Sequence, residues 1–150
     1  MKSKGTIIID IDGTLADISH RVHHLLKTPK DWDAFYADNL SDKPNHWCIE
    51  IMRSMDKKYH IILCTGRMER HMKETKEWLT RHKIPWDTML CRKEDDHRGD
   101  DVVKAELYNE NVINGHFPKP VLFVIDDRKR VVEMWRKQGL VCLQCAEGNF

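Results

Sequence analysis

Asp10 and Asp12 stand one residue apart, directly after a β-branched apolar run over residues 6–9. A short run of this kind reads as a buried strand, which delivers both acids to its carboxyl end. Two carboxylates there cost free energy unless something pairs with them, and a bound cation relieves that cost. The pattern continues through Gly13, Thr14 and Leu15; taken alone it also suits a strand end closed by an Asx-turn. Three further segments have the same character. A second apolar run leads into Thr65, Gly66 and Arg67, where a hydroxyl and a free backbone N–H can hold phosphate oxygens and the glycine permits close approach. Asp100-Asp101-Val102-Val103-Lys104 reads as a helix start with Asp100 near the N-cap, and Lys104 lies four residues on, on the same face. A third apolar run delivers a second acid pair, Asp126 and Asp127, followed by Arg128.

Strands and helices must bring these residues together. Apolar runs over residues 6–10, 60–65, 87–91, 121–126 and 140–144 predict strands. Between them Cys48, Ile51, Met52 and Met55 recur at helical spacing. So do Met68, Met72, Thr75 and Leu79, then Val103 and Leu107, then Val131, Val132 and Trp135. Alternation of this kind predicts an α/β fold: a Rossmann-like parallel sheet with right-handed crossovers and helices on both faces. Active sites form at the carboxyl ends of such strands. Residues 16–43 break the rhythm and predict a small helical cap insert over the site, with short helices around 18–27 and 30–40. In its aromatic-rich part, Trp32 and Phe35 can either stack a base or anchor a helix to the domain.

The chain of 150 residues is 41% hydrophobic and 33% charged, which suits one domain with a well-solvated surface. No apolar run approaches the ~20 residues of a membrane span. Met1-Lys2-Ser3-Lys4 leads into the first strand without a signal peptide, so a cytoplasmic location and no membrane partner are expected. A net charge of +1 argues against stable coating of nucleic acid, though not against a local basic pocket for one strand end. Five cysteines at irregular spacing do not form a disulfide framework. Cys142 and Cys145 could be a redox or zinc half-site, but without a second pair they suit buried thiols. His20, His23 and His24 have no acid or cysteine nearby to complete a ligand set, which favours a solvated helix face. Nothing in the sequence sets an oligomeric state.

In order, Asp10-x-Asp12-Gly13-Thr14, Thr65, Lys104 and Asp126-Asp127 resemble the four motifs of the haloacid-dehalogenase phosphatase superfamily. Over nearly the whole chain the sequence is more closely similar to the 3′-phosphatase family found in bacteriophage polynucleotide kinase-phosphatases. The similar segments include Thr65-Gly66-Arg67, Asp100-Asp101-Val102-Val103-Lys104, Ile125-Asp126-Asp127-Arg128 and Val131-Val132-Glu133-Met134-Trp135-Arg136. The resemblance implies Asp10 as nucleophile and Asp12 as general acid/base. It implies Mg²⁺ held by Asp10, Asp12 (through its carbonyl), and Asp126 or Asp127, with phosphate contacts from Thr65, Gly66, Arg67 and Lys104. Arg21, Arg92 and Asp100 match further family positions, Arg21 at the edge of the variable insert. No Gly-x-x-x-x-Gly-Lys-Ser/Thr run occurs, so no 5′-kinase activity is implied.

The implied substrate is a phosphorylated nucleotide or nucleic-acid 3′ end. The alternatives are a small-molecule nucleotidase or sugar phosphatase and, outside enzymes, a non-catalytic phosphate-binding module. Arg21, Arg67 and Arg92 supply more positive charge than one phosphate needs, which suggests contacts to a neighbouring phosphodiester or to a nucleotide's sugar and base. For Arg21 and Arg92 the alternative is a solvated surface arginine.

Overall fold

The computed structural model describes Lys2 and residues 4–150. Met1 and Ser3, part of the segment expected to lead directly into the first strand, lie outside the described residues. The chain runs β1 (Thr6–Ile9), β2 (Ala16–Asp17), α1 (Trp32–Ala37), β3 (Lys43–Pro44), α2 (His46–Met55), β4 (His60–Met68) and α3 (Met72–Arg81). It continues with β5 (Thr88–Arg92), α4 (Asp100–Leu107), β6 (Val121–Asp126), α5 (Lys129–Lys137) and β7 (Cys142–Gln144). β1, β4, β5, β6 and β7 form a parallel sheet in the order β5-β4-β1-β6-β7. The chain therefore builds outward from β1 to β5, then returns to β6 on the other side of β1. That reversal opens a crevice at the carboxyl end of β1, where an α/β sheet places its ligand.

The period of two along β1 assigns its faces. Ile7, Ile9, Ile61 and Leu63 pack with Cys48, Ile49 and Met52 of α2 and with Trp78 and Leu79 of α3. Ile8, Ile62 and Val124 pack on the other face with Val131, Val132 and Trp135 of α5, and with Tyr108 and Val112 just beyond α4. With both faces covered, the central strands are apolar and buried over residues 7–9 and 61–64.

All the expected sheet strands form, with boundaries that matter for the site. β4 runs on to Met68, so Met68 belongs to a strand and α3 begins at Met72. Its pairing with β5 becomes irregular between Thr65 and Met68. Gly66 and Arg67 thus sit at an irregularity that re-aims a side chain.

The insert departs further from expectation. No α-helix covers 18–27, only the 3-10 turn Val22–Leu25. The expected 30–40 helix shortens to α1 and a 3-10 turn at Asn39–Ser41. The apolar residues of this region form a separate small cluster around Ile18, Leu25 and Phe35, too little packing to hold long helices. Asp31 caps α1 by accepting from the Ala34 N–H at 3.0 Å. β2 and β3 pair as an antiparallel ribbon that closes the base of the insert. His20 meets Asp42 at 2.7 Å, a specific contact where a solvated helix face was favoured. All five cysteines are free, with Cys142 in the core. Among the described residues, no helix is long and apolar enough to cross a membrane.

Candidate active site

Asp10 leaves the carboxyl end of β1, Asp126 ends β6, and Lys104 reaches them from α4; all are buried. Lys104 Nζ donates to Asp10 Oδ1 at 2.7 Å and to Asp126 Oδ2 at 2.8 Å. Thr14 Oγ1 donates to the other Asp10 oxygen at 2.9 Å. Asp126 also accepts from Trp135 Nε1 at 3.2 Å and from the Asp127 backbone N–H at 2.9 Å. One carboxylate oxygen from each of Asp10, Asp126 and Asp127 lies within 4.8 Å of the others.

These acids outnumber the single ammonium among them. Burial, and then the charge of Asp126, push the Asp10 carboxyl well above its usual range. The same causes raise Asp127 to about 6. Burial alone would depress Lys104, but Asp10 and Asp126 outweigh it and keep the side chain an ammonium. Three converging hard oxygen donors with negative charge in excess suit a divalent cation such as Mg²⁺.

Asp12, two residues further on, has the opposite surroundings. Arg67 donates to it from Nε at 3.0 Å and from Nη2 at 2.7 Å, and Arg21 from Nη2 at 2.6 Å. Burial pushes its carboxyl up, yet the guanidiniums of Arg67 and Arg21 overcome this and hold it well below the ordinary carboxylate range. Arg21 is itself gripped by the buried Asp42, Nε to Oδ1 at 2.7 Å and Nη2 to Oδ2 at 2.6 Å. Arg67 also donates to Thr75 Oγ1 at 2.9 Å. Both arginines therefore reach the site but face Asp12 rather than an open phosphate position. Each is 1% exposed, which removes the surface-arginine alternative for Arg21.

The glycines of the motifs make room for acids. Gly13 has φ +84°, and a Cβ there would lie 2.1 Å from Asp127 Oδ2; a Cβ on Gly66 would lie 2.6 Å from Asp100 Oδ1. Thr65 is buried, and its Oγ1 accepts from the Arg67 backbone N–H at 3.1 Å. Asp100 is the first residue of α4, with Gly99 rather than Asp100 at the N-cap. It pairs with Arg92 and with Arg128 Nη1, the latter at 2.8 Å. Arg92 further donates to the carbonyls of Gly66 (2.7 Å), Asp96 (3.0 Å) and Arg98 (2.6 Å). Its guanidinium is engaged on every side, so Arg92 is a buried strut and not a solvated arginine.

Sequence reasoning assigned no role to Asp42, Thr14 or Arg128. Thr14 and Arg128 stood inside the first and fourth motifs and so had a signal; Asp42, in the irregular insert, had none. Above the acids, Trp32, Phe35 and Tyr36 of α1 line the pocket together with the C-terminal Phe150. Phe35 is buried and anchors the helix, whereas Trp32 stays 40% exposed.

Residues 4–150 match the family described as the polynucleotide kinase PNKP phosphatase domain. The chain belongs to this family. It is a phosphatase of the haloacid-dehalogenase superfamily, and the non-catalytic alternative is set aside. A chain in the structure of the Pnkp1/Rnl/Hen1 RNA repair complex is 29% identical, with a TM-score of 0.82 over 97% of this chain and 43% of that one. A second structure of the Pnkp1/Rnl/Hen1 complex gives 29% identity and 0.83 over 99% and 47%. The chain thus spans less than half the length of these relatives. A haloacid dehalogenase-like family protein, SP0104 from Streptococcus pneumoniae, shares the fold at 13% identity, with a TM-score of 0.68 over 95% of this phosphatase and 84% of that protein.

Proposed function

We propose that this phosphatase is a Mg²⁺-dependent 3′-phosphatase that acts on phosphorylated nucleotides or nucleic-acid 3′ ends through an aspartyl-phosphate on Asp10. The observation that carries the chemistry is the contrast between two acids one residue apart. Asp10 is held by Lys104 and Thr14 beside Asp126 and Asp127, whereas Asp12 is held by two arginines. Carboxylates whose environments differ this much divide two roles between them, and a cation bound in the cluster would keep Asp10 ionised for attack despite its raised carboxyl. Membership of a PNKP phosphatase family supports the choice of substrate, as does the likeness to a component of an RNA repair complex.

Mg²⁺ held by Asp10, the Asp12 carbonyl and Asp126 or Asp127 would offset the charge that makes a phosphomonoester repel a carboxylate. Asp10 attacks phosphorus in line with the leaving oxygen. Lys104, Thr65 and the backbone of Gly66 hold the equatorial oxygens, where charge accumulates. Asp12 gives a proton to the leaving alkoxide and later takes one from the water that opens the aspartyl-phosphate. Arg21 and Arg67 orient Asp12 and hold it anionic in the free enzyme. On substrate binding it must therefore leave a guanidinium and take a proton from solvent or from a phosphate monoanion before it can protonate the alkoxide. The proton it takes from water in the second step returns to solvent. Arg92 and Asp100 serve substrate binding indirectly, by fixing the Gly66 backbone in β4. The insert acts as a partial cap.

Matched 3′- and 5′-phosphorylated nucleotides and oligonucleotides, assayed with and without Mg²⁺, test this reading. A 3′ preference of roughly tenfold or more is expected, the least that a misfit of one small group costs in a shaped pocket. Preference for 5′-monophosphates or sugar phosphates overturns the assignment to 3′ ends.

A further inference from the structure

The free space beside Asp10 and Lys104 is only about 10 Å³, room for little beyond a phosphate oxygen. From it a groove of about 480 Å³ opens between the insert and the loop that precedes α4. Trp32, Tyr36, Gly66, Asp100 and Arg128 border both spaces, so the two adjoin. The groove is of the size that binds a nucleoside-sized ligand.

Trp32 stands where the two spaces join and exposes 40% of its surface, while Phe35 beside it is buried. It lies in an offset stack on Tyr36, with centroids 6.1 Å apart and planes 22° apart. Tyr36 in turn stacks on His71 at 4.7 Å. A row of rings therefore runs from the insert to the turn after β4. The ammonium of Lys30 lies 5.7 Å from the Trp32 ring centroid, on a flexible side chain that a planar ligand can displace.

Charge alone would hold a strand weakly here. The groove lining has six lysine or arginine side chains against four aspartates. Arg92 and Arg128 are tied to Asp100, however, Arg98 to Asp96, Arg70 to Glu94 and Arg130 to Asp101. Little free positive charge remains, so an apolar contact must supply most of the grip. Nothing in the phosphate chemistry calls for an exposed indole at this place, but a nucleobase does, because every base offers a π-face.

We propose that Trp32 is the platform on which the base of the 3′-terminal nucleotide stacks, making it the residue that selects nucleotide 3′-phosphates of any sequence over phosphates without a base. The inference rests on the 3′-phosphatase reading above. It is tested with two oligonucleotides that carry a 3′-phosphate and differ only in whether the terminal nucleotide has a base or is abasic. The parent protein should favour the substrate with a base by about tenfold in kcat/KM, the scale of one base–aromatic stack. Trp32→Ala should bring that ratio close to one, and Trp32→Phe should keep most of it. An undiminished ratio in Trp32→Ala, or equal losses on both oligonucleotides, overturns the proposal while leaving the 3′-phosphatase reading intact. If the parent protein hydrolyses neither oligonucleotide but does cleave other phosphomonoesters, the 3′-end reading fails and takes this inference with it.

Discussion

The two sides of the active site are held in place by different physics. On the sheet side, Asp10 follows β1, Asp126 ends β6, and Thr65 and Lys104 lie within β4 and α4; the sheet's apolar faces are buried in two cores. On the insert side, Arg21, Asp42 and Phe35 sit on short turns and one six-residue helix, backed by a small cluster around Ile18, Leu25 and Phe35. Buried area fixes the first set, and a charge network fixes the second. Arg21 links Asp12 to Asp42, and Arg67 donates chiefly to Asp12 with a longer reach to Asp42 of 3.4 Å. In the proposed mechanism the chemistry stands on the side that packing makes rigid. Proton control and choice of substrate stand on the side that ion pairs hold, which can respond to a ligand with less disturbance of the core.

The largest effects should come from the two acids that follow β1. Asp10→Asn should lower kcat by at least roughly 10³-fold, since an amide cannot attack phosphorus. Its fold should persist, because Lys104 keeps Asp126 as a partner and the cluster loses one of its crowded charges. Turnover within tenfold of the parent would remove Asp10 from the role of nucleophile. Asp12→Asn should cost about 10²–10⁴-fold, the range of general acid–base catalysis. If the aspartyl-phosphate still forms in this variant, it should accumulate, and rapid-quench trapping reads it directly.

On the insert side the effect should fall on stability first. Asp42→Ala leaves Arg21 buried beside a single carboxylate and should cost about 3 kcal/mol in denaturant unfolding, as removing one partner of a buried pair does. Unchanged stability would show that the network does not hold the insert.

The two sides should also respond to pH in opposite directions. Burial and the charge of Asp126 push Asp127 up to about 6 in the fold, above its unfolded value, so its contribution is fully present at low pH and is lost as pH rises through that window. Asp12 is depressed, so its contribution is present at neutral pH and is lost in strong acid. A cation that binds the ionised cluster should therefore raise the melting temperature more at pH 7.5 than at pH 5. An equal rise at both values would contradict the placement of the cation among Asp10, Asp126 and Asp127.

This division also explains what could be read from the sequence. The sheet side was legible because β-branched runs have a period and each ends in a residue with chemistry: Asp10, Thr65 and Asp126. The insert was not, because two-residue strands and 3-10 turns leave no period, and Asp42 finds its partners 21 and 25 residues away. Arg92 shows an intermediate case. Its place at the end of β5 was within reach, but the aim of its guanidinium at the Gly66 carbonyl and at Asp100 is set by tertiary packing. Arg21 was drawn to the site by family resemblance; that its charge grips Asp12 follows only from the fold.

In the proposed mechanism a 3′-terminal phosphate passes through Asp10. An oligonucleotide with a radiolabelled 3′-phosphate, mixed with Asp12→Asn and Mg²⁺ and quenched in acid, tests this most directly. The account predicts label on the protein, confined to the peptide that contains Asp10 and absent from Asp10→Asn. Label on a residue other than Asp10, or label that persists undiminished in Asp10→Asn, would contradict it.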